Sequence, residues 1–180
     1  TLGCGRVIAV RYSMGGPIAQ VLARDHADVV EGIVCCATAA TWQDPRMQRI
    51  WNTMVLLRLI LSLFPNASWR RGLRALGFPD SAETSWAASE LSRSNARDVS
   101  EAGRELGRYD ARGWLGALTV PAAVVRTTED RDVPQHRQFE LADCLGAPIF
   151  DAPGTHLAVA ARADEFNAAL LEAIVAVRGK

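Results

Sequence analysis

The sequence lacks an excess of charge of either sign. Its 20 basic and 20 acidic residues cancel to a formal net charge of 0 at pH 7. Nucleic-acid and anionic-membrane partners show as basic patches or runs, so the balance points to neither. No apolar run reaches the ~18 residues needed to span a bilayer. The longest candidate, Met54 to Phe64, is interrupted by Arg58 and Ser62. None of the four cysteines, Cys4, Cys35, Cys36 and Cys144, forms a CxxC pair or takes metal-ligand spacing beside a histidine. Cys35 and Cys36 lie inside an apolar run and read as small buried hydrophobes, the reduced structural thiols of a cytoplasmic protein. There is no Gly-rich loop ending in Lys-Ser or Lys-Thr, and no Gly-x-Gly-x-x-Gly after a strand, so phosphate cradles are not indicated. The Asp130-x-Asp132 pair lacks the glycine and distal glutamate of a calcium loop. No signal peptide is visible, and the chain starts at Thr1.

What is present is a chain of 180 residues, 49% of them hydrophobic, which is globular and long enough to bury a core. Val7 to Val10 reads as a short strand, Gly15 to Asp25 as a helix with Pro17 in its opening turn, and Val29 to Ala37 as a strand covered on both faces. From Thr41 to Trp114 the pattern turns helical. Trp51, Met54, Val55, Arg58 and Leu61 mark one amphipathic helix, broken at Pro65-Asn66. Further helices are expected over Trp69–Leu76, Glu83–Leu91 and Arg97–Leu106. Strands return at Val120–Val125 and Ala147–Phe150. They flank a helix from Pro134 to Leu145 that Gly146 closes. Asp164 is the expected N-cap of a last helix carrying Phe166, Leu170, Ile174 and Val177 inward. Strands alternating with helices predict a mostly parallel α/β sheet of about four strands with flanking helices.

Val7 to Gly16, Val-Ile-Ala-Val-Arg-Tyr-Ser-Met-Gly-Gly, is a buried strand, a sharp turn with one serine, and a helix start. That is the construction of a nucleophile elbow, which lifts a serine hydroxyl above the sheet. A serine needs a base, and the base needs an orienting group. Of three histidines, His26 and His136 lie in polar surface contexts. His156 follows a strand in Ala152-Pro153-Gly154-Thr155-His156-Leu157, and strand carboxyl ends are where such sheets place function. The loop after Val120–Val125 holds Glu129, Asp130 and Asp132, any of which could orient it. The chain order serine, acid, histidine is that of an α/β hydrolase.

Three segments carry a resemblance: Tyr12-Ser13-Met14-Gly15-Gly16-Pro17-Ile18-Ala19-Gln20, Asp130-Arg131-Asp132-Val133-Pro134 and Pro153-Gly154-Thr155-His156-Leu157. Together they resemble the α/β-hydrolase superfamily, in particular its lid-bearing esterase and lipase-like serine hydrolases. The chain resembles the C-terminal portion of such an enzyme, beginning at the elbow. The resemblance implies a partial α/β-hydrolase fold, with hydrolase core at 1–40 and 115–180 and a helical lid at 41–114. It selects Asp130 over its acidic neighbours. It implies Ser13 as nucleophile, His156 as base and then acid, Asp130 as orienter, and the Met14 amide as one oxyanion donor. It implies a small-molecule acyl substrate and no cofactor. Trp42, Trp51 and Met54 are the candidate substrate contacts in the lid, although packing is the expected role of most lid side chains.

Two departures qualify this. The elbow pattern is Gly-x-Ser-x-Gly, and Arg11 stands at its first glycine. There it must either point to solvent or distort the turn. The half of the fold that usually precedes the elbow, with its second oxyanion donor, is expected to lie outside this chain. Its absence would leave the first strand as an unpaired apolar edge prone to self-association. Two function classes are therefore carried forward. One is a serine hydrolase cleaving carboxylic esters or similar acyl compounds, with a cofactor-free haloperoxidase-like or carbon–carbon bond hydrolase as the variant within enzymes. The other is an N-terminally truncated, non-catalytic remnant or gene fragment.

Overall fold

The computed structural model describes residues 5–43, 52–75 and 77–178. They belong to two compact units, one of Thr1–Thr41 with Tyr109–Lys180 and one of Trp42–Arg108. The first unit contains β1 (Val7–Tyr12), α1 (Gly15–Asp25) and β2 (Val30–Cys36). The second contains α2 (Met54–Leu63), α3 (Pro65–Ala75), α4 (Ala82–Ser92) and α5 (Ala96–Arg108). The chain then returns to the first unit with β3 (Ala122–Thr127), α6 (Gln135–Leu145), β4 (Ile149–Ala152), α7 (Ala158–Ala161) and α8 (Ala163–Arg178).

The sheet has four strands in the order β1-β2-β3-β4, and every pairing is parallel. β2 lies inside it and is buried along almost its whole length, which is why Ile33-Val34-Cys35-Cys36 reads as an unbroken apolar run rather than an alternation. One face, through Ala9, Ile33, Cys35 and Val124, packs with Ala19 and Ala23 of α1 and Leu141 and Ala142 of α6. The opposite face, through Val34, Cys36, Ala123 and Val125, packs with Phe166, Ala169, Ala173 and Val177 of α8. β1 is paired on one side only among the described residues. Its alternation still holds: Ala9 faces the α1 side, while Ile8, Val10 and Tyr12 face the α8 side.

Gln20 on α1 donates to the Ala39 carbonyl at 3.2 Å and accepts from the Tyr109 hydroxyl at 2.8 Å, so its burial leaves no unpaired amide. The points where the chain leaves and re-enters this unit are pinned together. Ala111 N–H donates to Ala40 O at 2.8 Å, and Thr41 bridges to Asp110.

The helical unit differs from expectation at Pro65. α2 ends at Leu63, at the expected break, but α3 opens at Pro65 itself, four residues before the expected start at Trp69. A first-turn proline gives up only an amide that has no intrahelical partner. In α4, Ser81 caps the helix by accepting from Thr84 N–H at 3.2 Å. α2 buries only Met54 and Leu61 and exposes Val55, Leu56, Leu59, Ile60 and Leu63. In the first unit, α6 ends at Gly146 in the left-handed region, φ +58°, as expected of a C-terminal glycine. The short helix α7 has no counterpart in the sequence reading. Among the described residues, no helix is long and apolar enough to cross a membrane.

Candidate active site

Three loops at the carboxyl ends of β1, β3 and β4 converge. Ser13 follows β1 directly. Its amide continues the sheet ladder by donating to Cys36 O at 2.9 Å, and its carbonyl accepts from Gly16 N–H at 2.9 Å, which closes the turn into α1. Ser13 itself has φ +50°. A side chain in this left-handed region costs about 1–3 kcal/mol, and such strain clusters at functional sites. The turn is tight at Gly16. A Cβ there would lie 2.6 Å from Thr38 Cβ and closer still to its Oγ1 and Cγ2.

Arg11 does not distort this turn. Its side chain is exposed, and its stem runs over Gly15, with Cβ and Cδ each 3.4 Å from where a Cβ on Gly15 would sit.

His156 lies between the other two loops. Its Nε2 is 2.8 Å from Ser13 Oγ and its Nδ1 is 2.7 Å from Asp130 Oδ2. Asp130 is buried. Its Oδ1 accepts from the amides of Asp132 and Val133, each at 2.9 Å, and its Oδ2 also accepts from Thr127 Oγ1 at 2.7 Å. Burial pushes this carboxyl's pKa upward. Hydrogen bonds from His156, Val133 N–H and Thr127 outweigh that and hold it below the ordinary aspartate value. A carboxylate kept ionised against Nδ1 fixes the tautomer with a proton on Nδ1 and a free acceptor at Nε2.

The acid loop is braced from α6. Gln138, fully buried, donates to Val133 O at 2.9 Å and accepts from Thr127 N–H at 3.1 Å, while Gln135 donates to Thr127 O at 2.7 Å. Backbone bonds join this loop to the histidine loop, with Thr128 N–H donating to Ala152 O at 3.1 Å and Glu129 N–H to Gly154 O at 2.9 Å. Sequence reasoning missed Thr127, Gln138 and Tyr12. A glutamine on the inward face of an amphipathic helix was the one available signal.

The structure thus brings Ser13, Asp130 and His156 together. It leaves Glu129, Asp132, His26 and His136 exposed. Met14, the residue before α1, has an exposed side chain. Trp42 and Met54 are buried and belong to the helical unit; Trp51 lies outside the described residues. Asp130, Asp132 and His156 are also the group of described residues able to hold a metal, with ligand atoms within 4.8 Å of one another. An ion ligated there would have to displace the His156–Asp130 hydrogen bond.

No family model matches this sequence, and no curated protein matches it. Solved structures do. A hydrolase from Pseudomonas aeruginosa PA01 superposes with a TM-score of 0.76 at 18% identity, over 94% of this chain and 64% of that one. The fold is that of the α/β hydrolases. MGS-M2, an α/β hydrolase from a Medee basin deep-sea metagenome library, gives 0.77 at 16% identity over 97% of this chain and 66% of its own. A bromoperoxidase from Bacillus anthracis gives 0.77 at 17% identity over 97% of this chain and 69% of its own. The chain therefore has a partial α/β-hydrolase fold, spanning less than two thirds of the Pseudomonas enzyme.

Proposed function

We propose that this chain is a serine hydrolase that cleaves carboxylic esters or similar acyl substrates through Ser13, His156 and Asp130. The observation that carries the reading is the continuous relay from Ser13 Oγ through both ring nitrogens of His156 to Asp130 Oδ2, starting from a serine held at φ +50°. Ser13 Oγ attacks the substrate carbonyl carbon as its proton passes to His156 Nε2. The carbonyl oxygen becomes an oxyanion, stabilised by the Met14 amide and the amino end of α1. Collapse breaks the bond to the leaving alkoxide, which takes the proton back from His156. A water, deprotonated by His156, then attacks the acyl-serine and releases the acid with Ser13 restored. Asp130 keeps the Nδ1 proton in place and stabilises the imidazolium in both halves. The helical unit Trp42–Arg108 takes the part of a lid, and Trp42, Trp51 and Met54 that of acyl contacts, on the family resemblance alone.

The test is fluorophosphonate labelling of the purified chain read by intact mass, beside Ser13→Ala and with circular dichroism on both. One adduct that disappears in Ser13→Ala is the expected result. A folded wild-type chain that takes no adduct would overturn the proposal in favour of a non-catalytic remnant.

A further inference from the structure

His156 stands in a loop joined to the acid loop through Glu129 N–H to Gly154 O at 2.9 Å. Gly154, two residues before it, is at φ +119°, and the helix that follows, Ala158–Ala161, is a single turn. The loop's own ties are Leu157 N–H to Thr155 Oγ1 at 3.3 Å and Ala158 N–H to Thr155 O at 2.9 Å. Neither fixes the His156 peptide relative to Ser13. A different group does. The Tyr12 hydroxyl donates to the His156 carbonyl at 2.8 Å across a separation of 144 residues. The tyrosine ring lies 5.5 Å from the imidazole at 57° and 5.5 Å from Phe166 at 59°. Phe166 is buried on α8, so the ring has a rigid backing.

We propose that Tyr12 is a positioning residue for the proposed serine hydrolase, its hydroxyl clamping the His156 peptide to the end of β1 and so setting the reach from Nε2 to Ser13 Oγ. The clamp joins the residue next to the nucleophile to the base residue itself. It is therefore the shortest mechanical route between the two groups that must meet. Burial first, then the negative charge of Asp130, pushes the phenol's pKa well up, so the hydroxyl remains a proton donor throughout the neutral range. The claim rests on the serine-hydrolase reading, but it concerns the geometry of His156 and can be measured without turnover.

The test compares wild type with Tyr12→Phe, which keeps the ring and deletes one oxygen. Three readouts are taken: the exchange rate of the His156 Nδ1 proton by NMR, the rate of fluorophosphonate labelling, and kcat and KM on p-nitrophenyl acetate. Misplacing a reacting group by about 1 Å costs on the order of 100-fold. The expected result is faster Nδ1 proton exchange, with labelling and kcat each lower by roughly 10- to 100-fold and KM unchanged. Phe166→Leu loosens the same packing without touching the hydrogen bond and is expected to affect these rates much less. If Tyr12→Phe matches wild type in exchange and labelling, or if Phe166→Leu loses as much, the proposal is wrong. If wild type takes no label, the hydrolase reading fails, and the exchange comparison still decides the clamp. Should Tyr12→Phe not fold, Tyr12→His keeps an aromatic ring too short to reach the carbonyl. Failure of both to fold would assign the hydroxyl to fold stability and overturn the positioning role.

Discussion

Replacing Asp130 by asparagine tests the relay at its most constrained point. Oδ1 accepts two backbone amides, from Asp132 and Val133, so the amide NH2 of an asparagine cannot sit there without opposing two donors. The asparagine must keep its oxygen on that side and present its NH2 where Oδ2 was. That position faces His156 Nδ1 and Thr127 Oγ1. A donor there meets Nδ1–H head-on and drives His156 to the other tautomer, with its proton on Nε2, where it can no longer take the proton of Ser13. In a serine protease the equivalent change lowers kcat by about 10⁴-fold with the geometry intact, and the same figure is expected here. Asp132→Asn is the control. Its exposed carboxylate lies close to His156, but only its backbone amide contacts Asp130. Loss of one exposed charge is worth about 0–1 kcal/mol, at most roughly a fivefold change. The assay is hydrolysis of p-nitrophenyl acetate under kcat conditions, beside fluorophosphonate labelling rates. Equal losses in the two variants, or an Asp130→Asn chain within tenfold of wild type, would refute the assignment of the acid.

Stability follows a related sign. Because the Asp130 carboxyl is depressed in the folded state, its contribution is present above the ordinary aspartate pKa and is lost as pH falls through the folded value. Urea midpoints taken from pH 6 downward are expected to fall less steeply for Asp130→Asn than for wild type. Ser13→Gly removes a side chain from the left-handed region and is expected to raise stability by roughly 1–3 kcal/mol while abolishing labelling, read as an increase in Tm. Gly16→Ala forces a methyl against buried Thr38 and is expected to cost about 1–3 kcal/mol. Gly15→Ala meets only the stem of exposed Arg11 at 3.4 Å and is expected to cost distinctly less in the same urea titration. Burial pushes the Cys35 thiol up to about 12 and the Cys36 thiol higher still. Both are expected to resist iodoacetamide until the chain unfolds, as peptide mass mapping would show.

The strands were legible because parallel strands covered on both faces leave dense apolar runs, and Val29–Ala37 is the clearest of them. The convergence of the loops at Ser13, Asp130 and His156 was legible because each segment follows a strand. Choosing Asp130 over Glu129 and Asp132 was not possible from residue type, since all three are acids within four positions. It needed the family resemblance, and the structure separates them by burial. The tolerance of Arg11 was not legible either. The Arg11 side chain is exposed and its stem passes Gly15 at ordinary van der Waals distance, a fact of packing rather than of pattern. The role of Tyr12 was not legible, because the His156 carbonyl that gives it one lies 144 residues along the chain. The break at Pro65 was legible, but the start of α3 was placed four residues late, because a proline that ends one helix can also open the next.

The distance along the chain between the groups that meet has a consequence for how the site comes into being. Ser13 and His156 are 143 residues apart, and the sheet between them is wholly parallel, a topology rich in non-local contacts that folds slowly. Emerging from a ribosome, the serine is exposed long before the histidine loop is synthesised, and α8, which backs Tyr12 through Phe166, follows that loop. The serine can therefore gain its hydrogen-bonded base only once the histidine loop is in place. The rate at which refolding chains become reactive toward fluorophosphonate should lag the recovery of helical signal and coincide with the docking of α8, so that a single nucleophile serves as a clock for the final step of assembly.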